Sequence, residues 1–128
     1  MLAVYTIFYK RKERQTVVFE NKNDWPEKYD INKLISIQED IDSIIKGDKV
    51  SERRNDRYAD AGDEIKLNNQ PFIVSDIYPQ KLKEVSEKDA MDEGYPGLEE
   101  YKDAITNIHK EAVWDPEQII WAHYLRKK

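Results

Sequence analysis

Cysteine is absent from this 128-residue chain, so neither a disulfide framework nor a thiolate metal site is available. Histidine occurs only as His109 and His123. Two well-separated imidazoles do not make a histidine-based metal site, and no carboxylate cluster at ligand spacing compensates for them. Both histidines are therefore read as structural, and neither a metal nor another cofactor is expected. An excess of positive charge is lacking too: 21 Lys and Arg stand against 26 Asp and Glu, a net charge of −5. Duplex DNA and long nucleic acids are bound sequence-blind through broad basic faces that neutralise phosphates, so this balance argues against them. Long apolar runs are missing, which argues against a transmembrane helix. Met1 to Tyr9 are apolar but are followed at once by Lys10, Arg11 and Lys12, which is not the order of a signal peptide. The expectation is a soluble cytoplasmic protein with no membrane partner. Walker-type, dinucleotide-binding and nucleophile-elbow glycine motifs are also absent, which leaves kinase, dehydrogenase and serine-hydrolase readings without support.

What is present suffices for one domain. Hydrophobic residues make up 39% of the chain, and three Trp, eight Tyr and three Phe supply bulk for a core. Residues 3–9 and 15–20 are β-branched and aromatic and predict a hairpin, which adds strands to the main body or covers an edge. Residues 21–30 predict a loop anchored at Trp25 and Pro26. Residues 33–38 predict a short strand, and 39–46 a helix with Ile41, Ile44 and Ile45 on one stripe, ended by Gly47 as a left-handed cap. Strands are predicted over 49–54, 64–67 and 71–78. Asn68 and Asn69 form a tight turn before the last of these, Pro79 bends it, and residues 81–85 continue it. Ser86 and Asp89 read as a capping box for a helix over 87–93. A longer helix follows over 98–110, with Leu98, Tyr101, Ala104 or Ile105, and Ile108 on its stripe. Residues 118–125 predict the closing strand. Trp25, Trp114 and Trp121 are expected in the core or as a lid.

Residues 44–65, IIKGDKVSERRNDRYADAGDEI, bring opposite charges and two glycines together at spacings that suggest a site. On a strand, Val50, Glu52 and Arg54 share one face, and Ser51 and Arg53 take the other. Lys49 leaves the helix-to-strand turn, so its direction is set by that turn. Lys49, Glu52 and Arg54 are thus expected to converge on one cleft. On spacing alone, a solvated strand with weak cross-strand ion pairs accounts for the same charges. Arg53, Arg57, Tyr58 and Tyr95 interleave cations with aromatics, a pattern suited to phosphate contact and base stacking, though equally that of a charged loop.

Gly47, Lys49, Glu52 and Arg54 match G-x-K-x-x-E-x-R, and in this the chain resembles the ASCH family. The order of later elements is similar as well: Gly62-Asp63 before a strand, the 72–74 strand, the turn at 92–95 and a closing strand with Trp121. The resemblance covers roughly residues 32–126. It implies an α+β fold, a small and mostly antiparallel PUA-like β-barrel of five to seven strands with two or three flanking helices. Residues 1–31 would then be an N-terminal hairpin extension and 32–128 the ASCH-like core of a single domain spanning 1–128. It also implies a cleft that binds RNA or a modified nucleoside, small or single-stranded given the acidic balance. Gly47, Arg54, Arg53, Tyr58 and Tyr95 would contact the ligand, with Lys49 and Glu52 at the centre. The alternative is a hydrolase, either a ribonuclease or an amidohydrolase acting on N4-acetylcytidine-like nucleosides, with Lys49, Glu52 and Glu93 catalytic. Here the chain departs from the amidohydrolase pattern, which carries a threonine three residues after the lysine, where this sequence has Glu52. A third reading is a protein–protein regulator with a vestigial cleft.

Overall fold

The structure, a computed structural model, describes residues 21–108 and 114–128. It is α+β. Three α-helices are described: α1 (Gln38–Lys46), α2 (Glu87–Asp92) and α3 (Leu98–Ile108). Four strands, β1 (Ser51–Arg54), β2 (Glu64–Leu67), β3 (Gln70–Lys81) and β4 (Ile119–Lys127), form one curled antiparallel sheet in the order β1-β4-β3-β2. Among the described residues the strands number four. The hairpin predicted at 3–9 and 15–20 lies outside the described residues, as do His109 and Lys110, the last residues of the helix predicted over 98–110.

Two predicted strand segments are not strands. Residues 33–38 were expected to be extended, but Ile31–Lys33 forms a 3-10 turn. Asp30 caps it by accepting from the Asn32 N–H at 2.9 Å. Leu34 and Ile35 are both buried, and adjacent inward side chains do not fit the alternation of a strand. Residues 81–85 also turn into a 3-10 segment, Leu82–Glu84, where Glu84 accepts from the Lys81 N–H at 2.8 Å. Pro79 does not end β3; it stays in register opposite Trp121.

Local chemistry accounts for most of the remaining elements. Gly47, at φ +91°, donates its N–H to the Ser43 and Ile44 carbonyls and stops α1. Asn68 and Asn69 both take positive φ in the two-residue turn joining β2 to β3. A register shift between Val74 and Asp76 leaves Ser75 as a bulge, so Phe72 and Val74 before it and Ile77 after it all face inward.

Both faces of the sheet are covered, each by its own core. On one face α1 packs Ile44 against Leu34, Tyr58, Ile65, Leu67, Phe72, Val74 and Leu125. On the other, Leu82, Val85, Ala90, Tyr101 and Ile120 join α2 and α3 to the sheet. Cross-strand partners share a face, so Glu52 and Arg54, opposite His123 and Trp121, belong to the first. Ser51 and Arg53, opposite Tyr124 and Ala122, belong to the second. Among the described residues no helix is long and apolar enough to cross a membrane.

Candidate functional site

The site is assembled where the lead-in to β1 meets the end of α2. The Val50 N–H donates to the Asp92 carbonyl at 2.8 Å, fastening the C-terminus of α2 to the chain just after Lys49. Ser86 and Asp89 exchange hydrogen bonds as a capping box, which sets where α2 starts. Glu93 is its C-cap, and Gly94, at φ +96°, turns the chain away. A β-carbon at Gly94 would sit 3.5 Å from Lys49 Cβ, so the lysine stem lies directly against the turn.

Lys49 is buried, and its Nζ donates to the Glu93 carbonyl at 2.9 Å. The same nitrogen lies 3.2 Å from Glu52 Oε1 and 3.5 Å from Glu93 Oε1. Glu93 is held from the other side as well. Its Oε2 accepts from Ser51 Oγ at 2.5 Å and from Arg53 Nη1 at 2.9 Å, and its Oε1 accepts from the Arg53 backbone N–H at 3.2 Å. With each oxygen doubly engaged, Glu93 is a fixed strut rather than a free base. Glu52 differs. Its Oε1 is buried with the Lys49 ammonium as its one polar partner among the described residues, while the side chain keeps 13% of its surface open.

The electrostatics follow from one lysine serving several acids. Burial disfavours the Lys49 ammonium, but the negative charges of Glu93, Glu52 and Asp40 outweigh it and hold its pKa above the ordinary value. Lys49 is therefore a cation. The lowered pKa that a lysine base would need is not met. Burial pushes the Glu52 carboxyl up to about 7; Lys49 opposes this, and the charges of Glu93 and Asp40 add to it. Tyr95, half-buried and edge-on to Tyr101 at 5.5 Å, stands beside the same group. Burial raises its hydroxyl pKa, against the pull of Lys49.

Arg53 lies behind this group, with its guanidinium fully buried. Its Nε donates to Gln80 Oε1 at 2.6 Å, and its Nη1 to Ser51 Oγ at 3.1 Å as well as to Glu93. Nη2 reaches the hydroxyls of Tyr78 and Tyr124 at 3.2 and 3.3 Å and lies 3.4 Å from Asp89 Oδ1. Burial works against its charge, yet Glu93, Tyr78 and Asp89 more than offset this and raise its pKa. Arg53 is a structural hub with no donor left for a ligand.

The expected trio is thus only partly brought together. Lys49 and Glu52 meet, with Glu93 and Tyr95 beside them. Arg54 does not join them: it donates to the Lys33 carbonyl at 3.0 Å, to the Leu34 carbonyl and to the Tyr58 hydroxyl at 2.9 Å. Its guanidinium also sits 4.6 Å from the Tyr58 ring centroid. Arg54 shares the α1 face with Glu52 but sits two residues farther along β1, where the 3-10 turn offers open carbonyls. Tyr58 is buried in that core, 6.1 Å from the His123 ring. Gly47 acts on the backbone of α1, and Arg57 binds the Pro26 carbonyl and Asp60. His123 is buried, with Nε2 accepting from the Tyr58 N–H at 3.0 Å and Nδ1 3.1 Å from the Glu52 and Trp121 carbonyls. Burial lowers its pKa to about 4. Among the described residues, no group of three or more His, Asp and Glu side chains is arranged to hold a metal ion.

Ser51, Gln80 and Asp89 were not anticipated as partners of the site. The polar alternation of Lys49, Ser51 and Arg53 was the available signal. Gln80 is an inward polar residue in a strand, and Asp89 has a capping role that concealed a second contact.

No family model and no curated protein matches the chain. Among solved structures it is similar to the crystal structure of a protein from Enterococcus faecalis V583 described by the family model DUF984. The TM-score is 0.44 at 13% identity, over 69% of this chain and 66% of that one, just under two thirds of its length. A likeness this distant bears on neither family nor activity.

Proposed function

We propose that the Lys49–Glu52 pair binds the hydrogen-bonding edge of a nucleobase, in a modified nucleoside or a single-stranded RNA, within an ASCH-like, PUA-like domain. The carrying observation is the pairing itself. A buried ammonium and a carboxylate oxygen stand 3.2 Å apart on anchored backbone, and that oxygen has no other polar partner among the described residues. Such a pair offers a donor beside an acceptor. Its complement is an acceptor beside an N–H, as in N3 and the amino group of cytosine or O4 and N3–H of uracil. Bases taken out of a stack are read on this edge and held between aromatic side chains, a role that suits Tyr95. The surrounding Asp40 and Glu93 charges disfavour phosphate and so favour a neutral nucleoside or an isolated base.

Calorimetric titration with cytidine, uridine, N4-acetylcytidine and short single-stranded RNA tests this. Lys49→Ala, checked for fold by circular dichroism, is expected to weaken binding at least tenfold. Equal affinity in the variant, or no binding by the parent protein, sinks the proposal.

A second reading, hydrolysis, is favoured by one observation: the Glu52 carboxyl titrates at about 7 and so suits acid–base exchange at neutral pH. Ionised Glu52 would take a proton from water as the water attacks an acyl carbonyl. Lys49 would stabilise the oxyanion, and Glu52 would return the proton to the leaving amine. Release of acetate from N4-acetylcytidine, followed by mass spectrometry, is then expected to vanish in Glu52→Gln while binding persists.

A further inference from the structure

We propose that Glu52 is a specificity-determining residue whose protonation selects between two kinds of ligand edge. This rests on the base-binding reading of the same pair. The geometry supplies the alternatives. Glu52 Oε1 is buried, ion-paired with the Lys49 ammonium at 3.2 Å, and has no other polar partner among the described residues. Glu93 and Arg54, its charged neighbours at the end of α2 and on β1, are committed. Glu93 is doubly engaged at each oxygen by Ser51, Arg53 and Lys49. Arg54, two residues on, is spent on the Lys33 and Leu34 carbonyls. The group free to change what it offers is the Glu52 carboxyl.

Lys49 donates in both states, since its surroundings hold it charged. Ionised Glu52 accepts, so the pair then fits an acceptor beside an N–H, the lactam edge of uracil. Protonated Glu52 donates, so the pair fits two adjacent acceptors, such as O2 and N3 of a pyrimidin-2-one. A donor facing a donor, or an acceptor facing an acceptor, leaves a buried polar group unpaired, which is what makes the choice costly to violate. The groups facing Glu52 are Lys49 on the lead-in to β1, Glu93 at the end of α2, Asp40 on α1 and the Tyr95 hydroxyl after Gly94. His123 on β4 meets its backbone carbonyl and stays neutral above about pH 4. Lys49 is held charged and burial pushes the Tyr95 hydroxyl up, whereas the Glu52 carboxyl is pushed to about 7.

The test compares uridine with pyrimidin-2-one ribonucleoside, titrated against the whole chain from about one pH unit below 7 to one above. Neither nucleoside changes protonation in that window. The preference for uridine is expected to rise about tenfold per pH unit, since each affinity follows the fraction of one Glu52 state. Glu52→Gln, which offers a donor and an acceptor at every pH, is expected to flatten the preference. A carbon-13 NMR titration of the Glu52 carboxyl needs no variant: uridine is expected to lower its midpoint and pyrimidin-2-one ribonucleoside to raise it. A preference that ignores pH, or that keeps its pH dependence in Glu52→Gln, overturns this inference and leaves base binding standing. Failure of both nucleosides to bind overturns the base-binding reading, and this inference with it.

Discussion

Arg53 is the residue on which the site's geometry depends. It is the cation bound to the buried Glu93 side chain, and Glu93 in turn holds Lys49 through both its carbonyl and its carboxylate. Arg53→Met strips a buried carboxylate of its main cation, and breaking such a pair costs about 3–5 kcal/mol. Urea unfolding is expected to show a loss of that size, and Arg53→Lys should recover only part of it, because an ammonium cannot reproduce the fork that meets Gln80, Ser51 and the tyrosines. Little of this was legible in the sequence. Alternation sorts Ser51 and Arg53 from Glu52 and Arg54 correctly, but it does not say which face carries the site. Here both faces are buried, one under α1 and the other under α2 and α3. Lys49 escapes the rule because it precedes β1 and takes its direction from the turn.

At the scale of elements, α2 is the lever that presents Glu93. Ser86→Ala removes its capping hydrogen bond and is expected to cost about 1 kcal/mol, read as a lower unfolding midpoint. Gly94→Ala asks an alanine to adopt φ +96°, a strain of about 1–2 kcal/mol. The methyl itself meets the Lys49 stem at an ordinary contact distance of 3.5 Å, so it is the strained turn that is expected to shift the lysine and lower ligand affinity along with stability. Should stability fall with affinity unchanged, the turn does not position the lysine. Elements with strong local signals were legible: α1 with its glycine cap, α2 with its capping box and the β2–β3 hairpin with its paired asparagines. The 33–38 and 81–85 segments were not. Their turns depend on Asp30 and Glu84 reaching back to nearby N–H groups, and apolar content carries no trace of that competition.

For the whole molecule, two buried groups pull stability in opposite directions with pH. His123 titrates at about 4 when folded against 6.5 ordinarily, so the unfolded chain binds more protons between those values and stability rises with pH there. Glu52 moves from 4.5 to about 7, so the folded chain holds the extra proton and stability falls as pH rises through that range. Each contributes up to about 1.4 kcal/mol per pH unit where fully linked, and the two oppose each other between roughly 4.5 and 6.5. Glu52→Gln removes one side of the balance. Denaturant unfolding of that variant is expected to gain stability steadily with pH across this window, where the parent protein stays nearly level; parallel curves would show that Glu52 holds no extra proton. The strand order carries a different consequence, for synthesis. β4 is the last of the four strands to be made, yet it lies between β1 and β3 and pairs with both. While a ribosome is still translating residues 119–127, β1 has no partner among the described strands, and the emerging chain must wait with its described sheet in two unjoined parts and exposed apolar surface.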